Sequence, residues 1–231
     1  MVQPQQQDVW QYGADPSGVY TMGSDYMFIN MDWTSLNICE IYKMLWKIKV
    51  PTKASCFAWR LIRDKLPTKL NLRRRNVELS DLICPFCRRV EEDAAHLYFS
   101  CDKIRPIWWE SLSWISIFNV CSVNPKEHFC QHSYYYLSGL CGQRWLTWWI
   151  ALTWTIWCHR NRIIFRKEPF NSHKLMDDAI FICWTWIRNL EKGFNVPLHV
   201  WSGGVFCASG EGITYRLSHP YLFWGFSFCS S

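Results

Sequence analysis

Glycine and proline are scarce in this chain of 231 residues, with 11 and 10 copies, and charged residues make up only 19% of it. The low glycine and proline content excludes a collagen-like or low-complexity chain. The modest charge, together with an apolar fraction of 49%, excludes a disordered acidic or basic tail. We therefore expect a folded protein, and its length is enough to bury a sizeable core.

The sequence also lacks a secretory signal and a membrane-spanning run. Its first residues, MVQPQQQD, contain neither a basic region nor an apolar stretch, so we expect an intracellular protein, nuclear or cytoplasmic, that is not secreted. The longest uncharged aromatic run, at 145–158, has 14 residues and would make about 21 Å of helix, whereas a bilayer needs about 20 residues. We expect a buried helix there and no membrane span.

Aromatic residues and cysteines are abundant, with 16 Trp, 14 Phe, 10 Tyr and 12 Cys. In a reducing compartment we expect the thiols to be free or bound to metal rather than paired in disulfides. Basic charge is concentrated in residues 41–75, which hold eleven Lys and Arg against one acid, Asp64. This basic segment carries +10 in a chain whose net charge is +6, so the rest of the chain sums to −4.

Apolar spacing along the chain predicts a mostly α-helical fold. A helix over 52–66 places its apolar side chains on one arc, and Thr68 is positioned to cap a short helix at 69–75. Further helices are predicted over 41–50, 91–99, 102–118, 143–166 and 172–192. A loop is expected over 119–131.

Four metal-ligating residues follow one another in the pattern C-x2-C-x8-H-x4-C: Cys84, Cys87, His96 and Cys101. Zinc prefers four nitrogen or sulfur ligands at tetrahedral corners, and a C-x2-C turn brings two thiolates to one ion. A closed set of four protein ligands leaves no position for a substrate water. The spacing therefore predicts a structural Zn²⁺ site, in a small Cys3His knuckle between helices.

Two other interpretations of these residues stay open. Cys-Pro-Phe-Cys at 84–87 is also the form of a dithiol redox site, in which a helix N-terminus lowers the pKa of the first thiol. That interpretation requires a strand before Cys84 and a βαβ unit after Cys87, and the following sequence, RRVEEDAAH, does not suggest one. The four residues can also be a chance grouping in a cysteine-rich chain.

Several blocks of sequence occur in the order found in a known family. They are DPSGVY at 15–20, LWKIKVP at 45–51, FAWR at 57–60, LPT at 66–68, NLRRR at 71–75, CPFC at 84–87, EE at 91–92, HL at 96–97 and Cys101. With these blocks, residues 15–110 resemble the reverse-transcriptase zinc-binding domain of plant LINE-type (non-LTR) retrotransposons. The block WCHRNRIIF at 157–165 is similar to a segment that often follows this domain in plant relatives.

The resemblance implies that Cys84, Cys87, His96 and Cys101 bind the zinc ion. Together with the helical pattern it divides the chain into a polar tail at 1–14, the zinc-binding domain at 15–110, a helical aromatic-rich region at 111–195 and an irregular tail at 196–231.

The parent polymerase of this family implies DNA synthesis on an RNA template. The present chain shows neither a palm domain nor the carboxylate constellation of ribonuclease H, so we expect no enzymatic activity. Its Asp-Asp pair, Asp177 and Asp178, lies at the start of a predicted helix, where the helix dipole favours acids. Two-metal catalysis requires carboxylates on a strand turn and a third acid elsewhere.

We therefore expect a non-catalytic zinc module, derived from a retrotransposon reverse transcriptase, that contacts RNA or DNA through the basic segment. Lys and Arg bind phosphate with release of counterions, and Trp46, Phe57 and Trp59 can stack on bases. The candidate nucleic-acid ligands are Lys47, Lys49, Lys53, Arg60, Arg63, Arg73, Arg74 and Arg75. The alternatives are a protein-interaction scaffold, with a partner on the aromatic helices at 143–166 and 172–192, and a transposon remnant without a function.

Overall fold

The structure, a computed structural model, describes residues 38–115, 121–134 and 139–201 of the chain. Within these ranges the fold consists of helices without a β-strand, which confirms the predicted mostly α class. The elements are α1 (Ile38–Lys47), α2 (Thr52–Ile62), α3 (Lys69–Arg73), a π-helical turn (His96–Ser100), α4 (Arg105–Ser113), α5 (Pro125–Tyr134), α6 (Gly139–Arg166), α7 (Ser172–Leu190) and the single turn α8 (Leu198–Trp201). The predicted tail at 1–14 lies outside the described residues, as does the predicted tail at 196–231 beyond residue 201.

Helix α2 buries the apolar arc that its sequence predicts. The buried residues of this arc are Ala54, Phe57, Ala58, Leu61 and Ile62. Pro51 occupies the N-cap position, where its missing N–H removes no helical hydrogen bond. The helix ends at Ile62 rather than at 66, because Asp64 has a φ of 50°, which is outside the α-helical range. Helix α3 then begins at the predicted cap, with Thr68 Oγ1 accepting the Asn71 N–H at 3.4 Å.

Helices α6 and α7 form the helical C-terminal half predicted at 143–166 and 172–192, and they pack against each other. Trp145, Trp148 and Trp149 of α6 are fully buried. Within the described ranges, no helix is both long and apolar enough to cross a membrane. A protein partner on these helices stays a prediction, and Phe165 and Phe181 are exposed on them.

Helix α5 lies where the sequence predicts a loop, so that prediction is wrong. The buried positions of α5 include the polar residues His128, Gln131 and His132, and the helix therefore shows no apolar stripe. A capping signal precedes it: Asn124 Oδ1 accepts the N–H groups of Lys126 at 2.9 Å and Glu127 at 3.3 Å. Asparagine at the cap followed by proline at the first helical position, as in Asn-Pro at 124–125, is a typical helix start.

One hydrophobic core extends across the boundary predicted at residue 110. Phe57 of α2 packs edge-on against Trp154 of α6, with ring centroids 5.2 Å apart. The same cluster of buried residues includes Leu97 before the boundary and Ile150 after it. Helix α6 is therefore packed on the region that contains the predicted zinc ligands.

A buried ion pair joins that region to α6. Arg160 donates from Nε to both carboxylate oxygens of Glu92 at 3.2 Å and from Nη2 to Oε1 at 2.7 Å. The backbone N–H of Lys69 donates to the same Glu92 oxygen at 2.9 Å. Glu92 is completely buried, so each of these donors replaces a water that the carboxylate would otherwise bind. The pair therefore holds α3, the segment before His96 and α6 in one arrangement.

We expect Arg160→Met to destabilise the folded protein by about 3–5 kcal/mol, because it leaves the Glu92 carboxylate buried without its charged partner. Urea unfolding followed by circular dichroism measures this free energy. The double variant Glu92→Gln/Arg160→Met should lose less than Arg160→Met alone, since it removes the buried charge. Arg166→Met, on the exposed end of α6, serves as the control and should change stability by no more than about 0.5 kcal/mol. An Arg160→Met variant as stable as this control would contradict the assignment.

Candidate metal centre

The four predicted zinc ligands lie together. Each residue offers one donor atom, and the atoms of Cys84, Cys87, His96 and Cys101 all lie within 4.8 Å of one another. The first two ligands come from a tight turn, which is closed by a hydrogen bond from the Arg88 N–H to the Cys84 carbonyl oxygen at 3.0 Å. Arg88 has a φ of 56°, and this reverses the chain after the second cysteine.

A short antiparallel pairing of the backbone segments on either side of this turn stabilises it. Ile83 and Glu91 form an isolated β-bridge, and the Cys84 N–H donates to the Val90 carbonyl oxygen at 2.7 Å. The C-x2-C sequence is therefore a closed knuckle. No helix begins at its first cysteine, as the redox interpretation requires, because residues 85–87 form a turn.

The other two ligands are brought together by the π-helical turn. The Cys101 N–H donates to the His96 carbonyl oxygen at 2.9 Å, which is the i to i+5 bond of a π-helix. This wider turn places residues five apart on the same side, whereas an α-helix aligns residues three or four apart. The first N–H of the turn, that of His96, is capped by Asp93 Oδ1 at 2.6 Å. The H-x4-C spacing thus matches the local backbone.

The cluster has a buried side and an accessible side. Cys84 and Cys101 are fully buried, while Cys87 and His96 are partly exposed. Cys87 Sγ lies 3.2 Å from His96 Nε2, so Nε2 is the ring nitrogen that faces the thiols. A hydrogen bond between the two buried thiols raises the pKa of Cys84, and burial adds to this shift; the same bond lowers the pKa of Cys101.

Three sulfurs and one imidazole nitrogen in this space fit a tetrahedral Zn²⁺ ion. The ion would bind the cysteines as thiolates and replace the hydrogen bond between the two buried thiols. With four protein ligands such a site supplies no open position for a reacting water, so its chemistry is structural. The assignment of these four residues as ligands stays a prediction.

A second group of donors, Cys121, His128 and His132, also lies within 4.8 Å, but its geometry does not suit a metal. The two imidazole rings stack in near-parallel planes at 14°, with centroids 4.2 Å apart. Nitrogen lone pairs lie in the ring plane, so those of parallel rings do not converge on one ion. Trp149 Nε1 also donates to His128 Nδ1 at 3.0 Å, which leaves the proton of the neutral ring on Nε2.

All eight candidate nucleic-acid ligands are exposed. Two of them make surface ion pairs, Arg73 with Glu91 at 3.5 Å and Arg74 with Asp64 at 3.4 Å. Lys69 belongs to the same basic segment but is buried, and its ammonium group donates to Asp81 and to the carbonyl oxygen of Ile83. Its role is therefore to hold α3 against the knuckle.

The three aromatic residues suggested for base stacking differ in exposure. Trp46 is 51% exposed, whereas Phe57 is buried in the core and presents no free ring face. Trp59 is partly buried, and the guanidinium of Arg63 lies 5.2 Å from its ring centroid. The prediction that Phe57 stacks on bases is therefore wrong, because its ring lies on the buried arc of α2 and cannot contact a bound nucleic acid.

The Asp-Asp pair lies in the second turn of α7, later than the first turn expected from the sequence. Asp178 accepts from Arg162 Nη1 at 2.9 Å and lies 2.9 Å from His159 Nε2. Burial raises the pKa of Asp178, but the hydrogen bonds from Arg162 and His159 outweigh it and lower the pKa. The carboxylate is therefore engaged in holding α6 to α7.

Sequence reasoning missed the Glu92–Arg160 pair, which positions the segment leading to His96. Its members are 68 residues apart, so no local spacing connects them. The one local indication in the sequence is that Arg160 lies at the end of the apolar run of α6. Glu92 itself stands in a block of the family resemblance, next to the ligands.

Comparison with known proteins finds a family match for part of the chain. Residues 20–108 match the family model for zinc-binding in reverse transcriptase. A curated protein of Arabidopsis thaliana, provisionally named a ribonuclease H protein, is 25% identical over 100 residues. The match covers 43% of this chain but only 16% of that protein, so the chain spans a small part of its relative's length. No solved structure matches the chain.

We expect one zinc ion per chain in the purified protein, measured by mass spectrometry of metals. Loss of a residue that only hydrogen-bonds to a metal ligand lowers metal affinity by about 10–100-fold. His96→Ala removes a ligand itself, so its zinc affinity should fall further than that. Competition with a chromophoric chelator measures this change. The control His173→Ala, exposed on α7, should keep the wild-type affinity. Two zinc ions per chain, or an unchanged affinity in His96→Ala, would contradict this assignment.

The stacked histidine pair predicts that acid destabilises the fold. Burial lowers the pKa of His132 to about 3 and also lowers that of His128. Between about pH 6.5 and pH 3 the unfolded chain binds protons that the folded chain does not, so stability falls as the pH falls. The loss from His132 is on the order of 1 kcal/mol per pH unit.

Urea unfolding at several pH values measures the slope. His132 stacks on Trp145 with ring centroids 5.3 Å apart, and His132→Phe keeps a ring in this place. This variant should reduce the slope of stability against pH on the acid side. Above pH 7 its curve should run parallel to that of wild type. Equal slopes for the two proteins below pH 6.5 would show that the folded chain accepts the proton.

Proposed function

We propose that this chain is a non-catalytic module that binds nucleic acid around one structural zinc ion, since residues 20–108 match the family model for zinc-binding in reverse transcriptase. Cys84, Cys87, His96 and Cys101 hold the ion, and the basic segment contacts phosphate. The provisional ribonuclease H name of the Arabidopsis relative supports an association with nucleic acid.

The observation that carries this proposal is the direct connection between the knuckle and helix α3. The Lys69 N–H donates to the Glu92 carboxylate, and the Leu70 N–H donates to the Glu92 carbonyl oxygen at 3.1 Å. Helix α3 ends in Arg73, and Arg74 and Arg75 follow it. The residues that shape the metal cluster therefore also fix the position of three adjacent cations.

Zinc supplies the folding energy for this arrangement. In small zinc-finger peptides the apparent free energy of Zn²⁺ binding is about 10–16 kcal/mol. The residues between the ligands contain little regular structure apart from the bridge that Glu91 forms with Ile83 and the π-helical turn. We therefore assign the order of this segment to the metal, which converts a flexible stretch into a rigid support for α3.

Charge supports nucleic acid as the ligand. Of the eleven cations in the basic segment, ten are exposed and Lys69 alone is buried. Their number exceeds what the nearby carboxylates Asp64 and Glu91 neutralise. Phosphate groups bind such a surface by releasing condensed counterions, which makes the affinity strongly dependent on salt.

The proposed module is non-catalytic because its chemistry is that of a closed metal site and a cationic surface. Asp178 is held by Arg162 and His159, and its neighbour Asp177 is exposed on the surface of α7. The chain's residues thus bind and orient nucleic acid. Any polymerisation or cleavage belongs to a separate domain.

We expect the affinity for a fluorescein-labelled oligonucleotide, measured by anisotropy, to fall steeply between about 50 and 200 mM NaCl. The triple variant Arg73→Gln/Arg74→Gln/Arg75→Gln should reduce the slope of log K against log salt by about 2–3, because it removes up to three phosphate contacts. Its fold is checked by circular dichroism.

The matched control removes the same charge elsewhere. Arg166→Gln/Lys174→Gln/Lys192→Gln changes three exposed cations outside the basic segment and should leave the slope near that of wild type. A flat salt response of the wild-type protein, or an equal effect of the two triple variants, would overturn the proposed surface.

A further inference from the structure

A cavity of about 330 Å³ lies beside the metal cluster and is outside the basic segment. Its walls come from the π-helical turn, helix α4, residues 121–123 and helix α5. Phe99 and Ser100, which line it, directly precede the ligand Cys101. The volume is at the small end of the about 300–1,000 Å³ that is typical of ligand pockets in proteins.

Four of the ten residues that line this cavity carry aromatic rings: Phe99, Trp108, Trp109 and His128. Phe99 stacks on His128 with ring centroids 4.1 Å apart, and Trp108 meets His128 edge-on at 4.6 Å. Trp108 is itself fixed, because its indole N–H donates to the Tyr98 carbonyl oxygen at 2.7 Å. These contacts make a preformed wall, so a planar ligand would bind without reordering it.

Trp109 stands at the same cavity but remains 58% exposed. The guanidinium of Arg105 lies 5.2 Å from its ring centroid, which is a cation–π arrangement. An exposed tryptophan with an arginine beside it matches the way proteins hold unpaired bases, which stack on aromatic rings and on guanidinium planes.

Polar groups and charge at the cavity favour a nucleotide over an apolar ligand. His128 and Ser122 are polar residues that line the cavity, and the Trp149 N–H donates to His128 Nδ1 at 3.0 Å, which fixes the tautomer of this ring. Arg105 also lines the cavity, and its guanidinium lies 3.2 Å from the Asp102 carboxylate. Arg105 is the one charged residue among those that line the cavity, so the lining carries a positive charge.

We propose that this cavity takes an unpaired base of single-stranded nucleic acid, which stacks against Trp109 while Arg105 contacts the adjoining phosphate. The inference rests on the proposed function and adds a second contact to the basic segment. In a duplex the base faces are covered by their neighbours, so only a single strand can present one to the cavity. The module would thus distinguish single strands from duplexes.

The test uses the full, zinc-loaded chain and three labelled DNA probes of about 12 nucleotides: a single strand, a single strand made of abasic sites, and a duplex. The abasic strand keeps the phosphates but presents no base. Wild-type protein should bind the normal single strand about 5- to 150-fold tighter than the abasic one. Trp109→Ala should remove this preference and leave the abasic affinity and its salt dependence unchanged.

Two variants complete the design. Phe165→Ala, an exposed ring at the end of α6, is the matched control and should keep the preference. Trp46→Ala tests the second exposed tryptophan of the described residues, on α1 in the basic segment. Loss of the preference in Trp46→Ala but not in Trp109→Ala would overturn the cavity as the base site.

The outcomes also separate this inference from the proposed function. Salt-dependent binding that is equal for the normal and abasic strands would overturn the base-binding cavity and leave the basic surface intact. Absence of salt-dependent binding to all three probes would overturn the proposed function itself. A preference that survives Trp109→Ala in a folded protein counts against the inference, whichever probe binds best.

Discussion

The fold depends on one buried ion pair, that of Glu92 with Arg160. The carboxylate has no contact with solvent, and it is satisfied by the guanidinium and by the backbone N–H of Lys69. A buried charge is costly unless its partners are in place, so the knuckle segment, α3 and α6 have to assemble together. This explains why the aromatic helix α6, which follows the matched residues, is packed into the same core as the predicted zinc ligands.

Periodic patterns in the sequence were sufficient for the long elements. The apolar arc of α2 and the Thr68 cap of α3 follow from side-chain spacing, because each depends on residues within one or two helical turns. Helices α6 and α7 were predicted within a few residues of their ends. The family resemblance likewise pointed to the right region, since residues 20–108 match the reverse-transcriptase zinc-binding family.

The parts that escaped prediction depend on contacts across the chain or on unusual backbone. Helix α5 buries His128 and His132 against aromatic rings, so its inner face is not apolar in sequence. The π-helical turn at His96 differs from an α-helix in its i to i+5 hydrogen bonding, which residue types alone do not indicate. The ligand spacing can be recognised in the sequence, but the turn that brings His96 and Cys101 together is a property of the folded backbone.

The uneven exposure of the metal cluster has a consequence for exchange of the ion. Cys84 and Cys101 are sealed inside the core, and the accessible edge is made by Cys87 and His96. With a zinc ion bound as proposed, an incoming chelator or thiol-oxidising agent would meet the sulfur of Cys87 first, while Cys84 and Cys101 still hold the ion. The metal would then leave stepwise from that edge, and the sulfurs of Cys84 and Cys101 would release it last.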